Sequence, residues 1–183
     1  CLYGENIVIS GGIVILDGGK TDSGMNYCIR GTLSTSADHS TPGNAYIFAR
    51  YQIEDNVIYD ASKENEWSGV IFKGNEGKVY GNPTLPEGLM SIPSGATLTI
   101  EADKTLTIGN KSTLLVEEGS VAKSTIGPGK IVNNGTIVNN AGTIGLQGTF
   151  TNEGTYTDNG GNFYELGGTV DGKNSSQITT KEG

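Results

Sequence analysis

Residues 96–116 read ATLTIEAD-KTLTIGNK-STLLV. Thr97, Thr105 and Thr113 stand eight apart, as do Leu98, Leu106 and Leu114, and Ile100, Ile108 and Val116. Leu98 and Ile100 fall on one side of an alternating segment and Thr97 and Thr99 on the other, which is the signature of a half-buried strand. Each such strand is only about four residues long, and an eight-residue unit has no room for an ordinary hairpin.

Further along, a Gly–polar–apolar triplet recurs. It appears as Gly129-Lys130-Ile131, Gly135-Thr136-Ile137, Gly142-Thr143-Ile144, Gly148-Thr149-Phe150, Gly154-Thr155-Tyr156, Gly161-Asn162-Phe163 and Gly168-Thr169-Val170. The steps are 6, 7, 6, 6, 7 and 7 residues, so three steps span 19 or 20. An offset of 19 aligns Ile131 with Phe150, Ile137 with Tyr156, Ile144 with Phe163, Asn133 with Asn152 and Asn140 with Asn159. Apolar positions stay apolar, and Asn recurs where the chain must turn.

This is the arithmetic of an all-β, right-handed, single-stranded parallel β-helix with three short strands per coil and about 19–24 residues per coil. Divided into the whole length, such coils predict roughly eight turns and a rod of roughly 40 Å. Gly and Asn at the corners are expected to serve left-handed or tight backbone conformations. Corner Asn side chains are also expected to form hydrogen-bonded ladders.

The rest of the chain extends this reading less regularly. Ile7-Val8-Ile9, Ile13-Val14-Ile15, Cys28-Ile29-Arg30, Gly31-Thr32-Leu33, Val70-Ile71-Phe72, Lys78-Val79-Tyr80 and Leu89-Met90 have strand-like spacing. Residues 34–44 form a polar loop; residues 45–59 suit one or two strands or a short helix. The expected organisation is one solenoid domain over 1–183, with irregular coils in 1–95. It includes a loop-rich insertion near 34–66, regular coils in 96–171 and a polar tail in 172–183.

Composition narrows the function classes. The 183 residues include 29 Gly, 12 Lys+Arg and 20 Asp+Glu, for a net charge of -8; 17% are charged and 34% hydrophobic. An average soluble domain is about a quarter charged. Regular apolar spacing argues against disorder, no apolar run reaches transmembrane length, and an acidic chain without a Lys/Arg cluster argues against nucleic acid as a partner. The absence of an initiator Met and of a signal peptide, together with strand sequence close to Cys1, leads to the expectation of a piece of a longer protein.

The stretch Trp67-Ser68-Gly69-Val70-Ile71-Phe72-Lys73-Gly74-Asn75-Glu76-Gly77-Lys78-Val79-Tyr80-Gly81-Asn82, followed by Ile92-Pro93-Ser94-Gly95-Ala96-Thr97-Leu98-Thr99-Ile100, resembles repeat-rich secreted or surface proteins of gut bacteria that are parallel β-helices. The opening Ile7-Val8-Ile9-Ser10-Gly11-Gly12 resembles their ISGG repeats. The resemblance covers residues 67–170 well and 5–20 weakly. It implies an exported, envelope-associated bacterial protein and no defined activity.

Candidate chemistry is sparse. Polysaccharide lyases of this fold need grouped Asp residues holding calcium and an Arg or Lys base, and hydrolases need paired carboxylates across a groove. The acidic clusters Glu54-Asp55, Glu64/Glu66, Glu101/Asp103 and Glu117-Glu118 contain no DxD pair and read chiefly as solvated corners. Arg30 and Arg50 are the only arginines and His39, in a polar loop, the only histidine. Asp17-Gly18-Gly19 reads as a plain turn. No zinc spacing, Ser-His-Asp set or phosphate loop is present, and no metal or cofactor is expected.

The pairs Thr97/Thr99 and Thr105/Thr107 would bind ice only if stacked on one face, and three strands per coil place them on adjacent faces. Tyr156 and Phe163 fall in the inward register and belong to the core. Trp67, Tyr51, Tyr59, Tyr80 and Tyr164 are less constrained, and of these Trp67, Tyr51 and Tyr59 are the candidate ligand-binding aromatics, since rings stack on sugars; packing beneath a loop is the competing role for Trp67. Cys1 and Cys28 are a candidate disulfide, which would suit an exported protein; lipidation of Cys1 is the alternative.

The expected function is that of a non-enzymatic exported surface protein, structural or adhesin-like, binding a glycan or a host or bacterial surface protein. Residues 34–66 are expected to form its decorated side. The alternative is a polysaccharide lyase or glycoside hydrolase-type β-helix acting on carbohydrate. Open solenoid ends need caps, and neither terminus offers an obvious one, so either end-on self-association or trimming from a longer solenoid is expected.

Overall fold

A computed structural model describes residues 2–8, 11–16, 29–34, 44–49, 69–73, 75–125 and 129–182. Its strands are β1 (Leu2–Val8), β2 (Gly11–Leu16), β3 (Ile29–Ser34), β4 (Asn44–Ala49), β5 (Gly69–Lys73), β6 (Glu76–Tyr80), β7 (Gly88–Ile92), β8 (Thr97–Ile100), β9 (Thr105–Ile108) and β10 (Ser112–Val116). They continue as β11 (Val121–Ser124), β12 (Lys130–Asn133), β13 (Thr136–Asn139), β14 (Thr143–Leu146), β15 (Thr149–Asn152), β16 (Thr155–Asp158), β17 (Asn162–Glu165), β18 (Thr169–Asp171) and β19 (Lys181–Glu182).

From β6 onward the chain winds as a parallel β-helix with three walls. The first wall contains β6, β8, β11, β14, β17 and β19; the second contains β9, β12, β15 and β18; the third contains β7, β10, β13 and β16. Every adjacent pair within these walls is parallel. The offset read from sequence is the structural register: Ile131 pairs with Phe150, Asn133 with Asn152, Ile137 with Tyr156 and Ile144 with Phe163.

Among the described residues the stack makes about four turns, against the eight expected over the whole length. Among the described residues, β1 pairs with β3 in a two-stranded sheet, and β2 and β4 belong to the sheet of the first wall. The parallel order also reverses once, because β5 and β6 form an antiparallel hairpin that joins β2, β4 and β5 to the coils. Gly77 permits that join: a Cβ there would land in the Phe72 ring facing it. Within 34–66, the described residues are Ser34, which ends β3, and β4, which pairs with β2 and β5 as the strand-like reading of 45–59 expects; the remainder of the segment lies outside the described residues.

The interior is a column of inward side chains. Leu98, Ile100, Leu106, Ile108 and Val116 are at most 1% exposed, and Leu114 is 3% exposed. Later coils enlarge one inner position and make the other polar. Phe150, Tyr156 and Phe163, one from each wall, meet edge to face with centroids 5.3–6.4 Å apart. Such geometry suits the ring quadrupoles. Tyr156 and Phe163 are core residues, as their register implies.

Asn133, Asn139 and Asn152 are fully buried at strand ends. Asn133 Nδ2 donates to Asn152 Oδ1 at 2.8 Å, and Asn152 Nδ2 to the Asn174 carbonyl at 2.8 Å. Asn139 Oδ1 accepts the Gly142 N–H at 3.1 Å, closing its own corner. These amides satisfy backbone groups that would otherwise need a longer turn to reach water. Thr97, Val121, Thr143 and Asn162 stack in one column, so successive coils shorten from 24 to 22 to 19 residues.

The triplet glycines have a different reason from the one expected. Positive φ occurs at Gly81, Gly95, Gly119, Gly160, Gly167 and Gly172, among others, but at none of the triplet positions. The triplet glycines are instead required by stacking. A Cβ on Gly148 would strike the Gly129 carbonyl, one on Gly154 the Gly135 carbonyl, and one on Gly168 the Gly148 carbonyl. Corner backbone rests directly on corner backbone at the inter-strand spacing of roughly 4.8 Å.

The C-terminal end is covered, contrary to the expectation of an uncapped coil and a polar, trailing tail. Gln177 Oε1 accepts the Tyr156 N–H at 2.7 Å, Asn174 Nδ2 donates to the Gly154 carbonyl at 2.8 Å, and Ile178 packs on the core. A 3-10 turn, Ser175–Gln177, carries these residues across the last coil, and β19 then pairs with β17. The tail thus covers the last coil.

Candidate functional site

Side chains alternate along the walls, so each strand offers every second residue to solvent, and these residues form columns down the rod. On the first wall, β6 turns Glu76, Lys78 and Tyr80 outward, and β8 turns out Thr97 and Thr99. β11 adds Val121 and Lys123. Where the hairpin meets the first coil, Glu76, Lys78, Tyr80, Thr97, Thr99 and Lys123 line a groove of about 620 Å³ together with Ile71, Asn75, Gly77 and Gly95.

Ile71 belongs to the outward register, opposite in parity to the core residues Val70 and Phe72, yet it is only 2% exposed. It lies under one end of the groove and presents almost no surface there. Lys78 Nζ lies 2.7 Å from Glu101 Oε1, both side chains about half exposed. An ion pair so wet contributes about 0–1 kcal/mol and exchanges readily for another anion. The groove therefore combines two ammonium groups, one tyrosine ring, two threonines, an amide and the Glu76 carboxylate. That set can hydrogen-bond a polyhydroxylated molecule and stack on its apolar face.

Several candidates read from the sequence fall beyond this geometry. Trp67, Tyr51, Tyr59, Cys1, Cys28, His39, Arg50, Asp17 and the clusters Glu54-Asp55 and Glu64/Glu66 lie outside the described residues. Arg30 lies in β3, its backbone paired with Tyr3. Glu101/Asp103 and Glu117-Glu118 occupy turns between strands, as read, with Asp103 at φ 60°. Thr97/Thr99 lie on the first wall and Thr105/Thr107 on the second, so the two pairs share no face; Val121 stacks beside Thr97.

The groove residues Lys78 and Lys123 were not singled out from sequence. Lys78 and Lys123 are 45 residues apart, in stretches of unlike composition. Their alignment passes through Thr99, which pairs with both. Unequal coil lengths hide that register.

Among the described residues, the one titration clearly displaced by the fold is internal. Burial raises the Tyr156 phenol above its ordinary 10.0, the hydrogen bond from Asn139 opposes this, and the Asp158 charge adds to the rise. Among the described residues, no group of three or more His, Cys, Asp or Glu could hold a metal ion. No helix among them is long and apolar enough to cross a membrane. No protein-family model, curated protein or solved structure matches the chain.

Proposed function

We propose that the protein is an exported bacterial surface solenoid whose work is structural and adhesive: a stiff prism holding a ligand-binding face, with glycan as the ligand. The observation that carries this reading is the groove on the first wall, where Tyr80, Lys78, Lys123, Thr97 and Thr99 converge beside a half-exposed ion pair. Support also comes from the resemblance of residues 67–100 to repeat-rich surface proteins of gut bacteria. The stacked walls explain why such a face would stay in shape. Each outward residue stands on a strand hydrogen-bonded to neighbours on both sides, so binding orders little backbone.

The test is a glycan array probed with the purified chain, repeated with Tyr80→Ala and Lys123→Ala. Retention of particular glycans by the parent chain, lost in both variants at unchanged melting temperature, is the expected result. Binding untouched by either substitution would move the site elsewhere. Shortened glycan products after incubation would replace the adhesive reading with a lyase or hydrolase.

A further inference from the structure

An asparagine followed by glycine is open to attack on its own side chain, because the glycine nitrogen is unshielded and its backbone turns freely. Among the described residues this pair occurs twice, as Asn134-Gly135 and Asn159-Gly160. Both asparagines stand at solenoid corners and both are exposed. Residue type and exposure therefore rank them alike. The stacking of the coils does not.

The Asn134–Gly135 peptide lies between two other corners. A Cβ on Gly154, stacked against it, would come within 2.9 Å of both Asn134 C and Gly135 N. A Cβ on Gly135 itself would strike the carbonyls of Gly109 and Ser112. Asn134 N–H donates to the Ile108 carbonyl at 2.8 Å, and the Gly135 carbonyl accepts the Thr155 N–H at 2.8 Å. The peptide is thus tied to the coils on both sides of it.

Asn159-Gly160 joins β16, the last strand of the third wall, to β17. Gly160 is exposed at φ 83°, and a Cβ there would meet nothing within 4 Å. The residues on either side are held: Asn159 N–H donates to the Asn139 carbonyl at 2.8 Å, and Gly161 N–H to Asp158 Oδ1 at 2.7 Å. Gly160 N–H itself donates to no described residue. A nucleophilic nitrogen is therefore free to turn beside an exposed amide, on a corner whose ends stay fixed.

We infer that Asn159 is a site of covalent self-modification, a deamidation driven by Gly160 N, and that corner stacking withholds the same reaction from Asn134. Gly160 N gives its proton to solvent base and bonds to Asn159 Cγ. The Asn159 Nδ2 takes up a proton and leaves as ammonia, closing a succinimide. Water then adds at one of the two ring carbonyls. Addition at Cγ breaks the Cγ–N bond and gives aspartate. Addition at the main-chain carbonyl breaks the original peptide bond and gives isoaspartate, with the chain now routed through the side chain.

Either product adds one negative charge to the formal -8 and places it beside Asp158. Isoaspartate also lengthens the corner by a methylene. Gly161 rests directly on the Asn139 amide, which a Cβ would overlap, and Asn139 Oδ1 holds the Gly142 N–H at 3.1 Å. A longer corner pushes Gly161 against that support and loosens the join between the third and first walls.

The experiment ages the full chain in mildly alkaline buffer, folded and in concentrated urea, and digests samples with a protease that cuts after glutamate. Cleavage at Glu118, Glu153 and Glu165 puts Asn134 and Asn159 on separate peptides. Mass spectrometry reads amide-to-acid conversion in each, and enzymatic carboxyl methylation reads isoaspartate. Expected in the folded chain is conversion at Asn159 at least roughly tenfold faster than at Asn134, whose corner must first open. In urea the two rates should converge. Equal rates in the folded chain, or a difference that persists in urea, overturn the inference. Asn159→Gln should remove the acidic species that ion exchange resolves on ageing, and its undiminished appearance overturns the assignment. The purified isoaspartate form should melt at least roughly 2 °C below fresh protein, with Asn159→Asp nearer the parent. An isoaspartate form as stable as the parent overturns the account of the lengthened corner.

Discussion

Replacing Gly148 by Ala tests the stacking account of the triplet glycines. At an ordinary φ, Gly→Ala usually stabilises by about 0.4–1 kcal/mol, because the unfolded chain loses freedom. Gly148 is not at positive φ, so backbone preference predicts that gain. Packing predicts the opposite. The new methyl would meet the Gly129 carbonyl oxygen, with Gly129 C at 2.9 Å and N at 3.2 Å behind it. These are backbone atoms of the coil beneath, unable to swing aside. Relief requires the corner to lift, straining the Thr149 N–H to Gly129 bond at 3.2 Å and the Thr169 N–H to Gly148 bond at 2.9 Å.

Overpacking of this kind costs about 3 kcal/mol, which for a chain of this size lowers Tm by roughly 6–12 °C. Two controls separate the causes. Gly145→Ala meets only Leu166 Cδ1 at 3.5 Å and should be neutral or slightly stabilising. Gly160 has φ 83° and open space around it. Ala there should lose about 1–2 kcal/mol through the left-handed backbone alone. The assay is thermal and urea unfolding followed by far-ultraviolet circular dichroism. A Gly148→Ala protein as stable as Gly145→Ala would refute the reasoning.

Alkaline pH should destabilise the fold through Tyr156. Its folded pKa is raised, so the protonated phenol's contribution is fully present below 10.0 and is lost as pH rises through the higher folded value. Tyr156→Phe should flatten the stability profile above that pH, read as urea midpoints across an alkaline series; an unchanged profile would exclude Tyr156 as the cause. The Asn ladder ends at Asn133, whose Oδ1 is buried without a partner because Ile108 stacks above it. Ile108→Asn would offer a donor there and should cost at least about 1 kcal/mol less than Ile131→Asn, measured by urea unfolding; equal costs would count against the ladder. Deleting residues 173–183 removes Gln177 from the Tyr156 N–H and Ile178 from the core. Lower stability and concentration-dependent association in sedimentation are expected, and a monomer of parental stability would show that the tail is no cap.

The regular coils were legible because their signals are local. Alternation marks Leu98, Ile100, Ile131 and Ile144 as inward without any knowledge of neighbours, and the recurring triplets expose the coil length. Even the identity of core against surface aromatics at Tyr156 and Phe163 followed. The hairpin of β5 and β6 gave no such sign, since a strand has the same alternation whichever way its partner runs. The covering tail was likewise hidden. Asn174, Gln177 and Ile178 form no periodic pattern, and their role exists only against the last coil.

Sequence alone determined that the regular coils form a three-walled parallel solenoid and which residues face inward, because those properties depend on spacing within one or two coils. Tertiary structure decided the number of turns, the reversal at β5 and β6 and the purpose of the glycines. It also decided that Lys78, Lys123 and Lys181 share a column. Coils of 24, 22 and 19 residues put no constant interval between stacked residues. Only the hydrogen-bond register shows which side chains become neighbours.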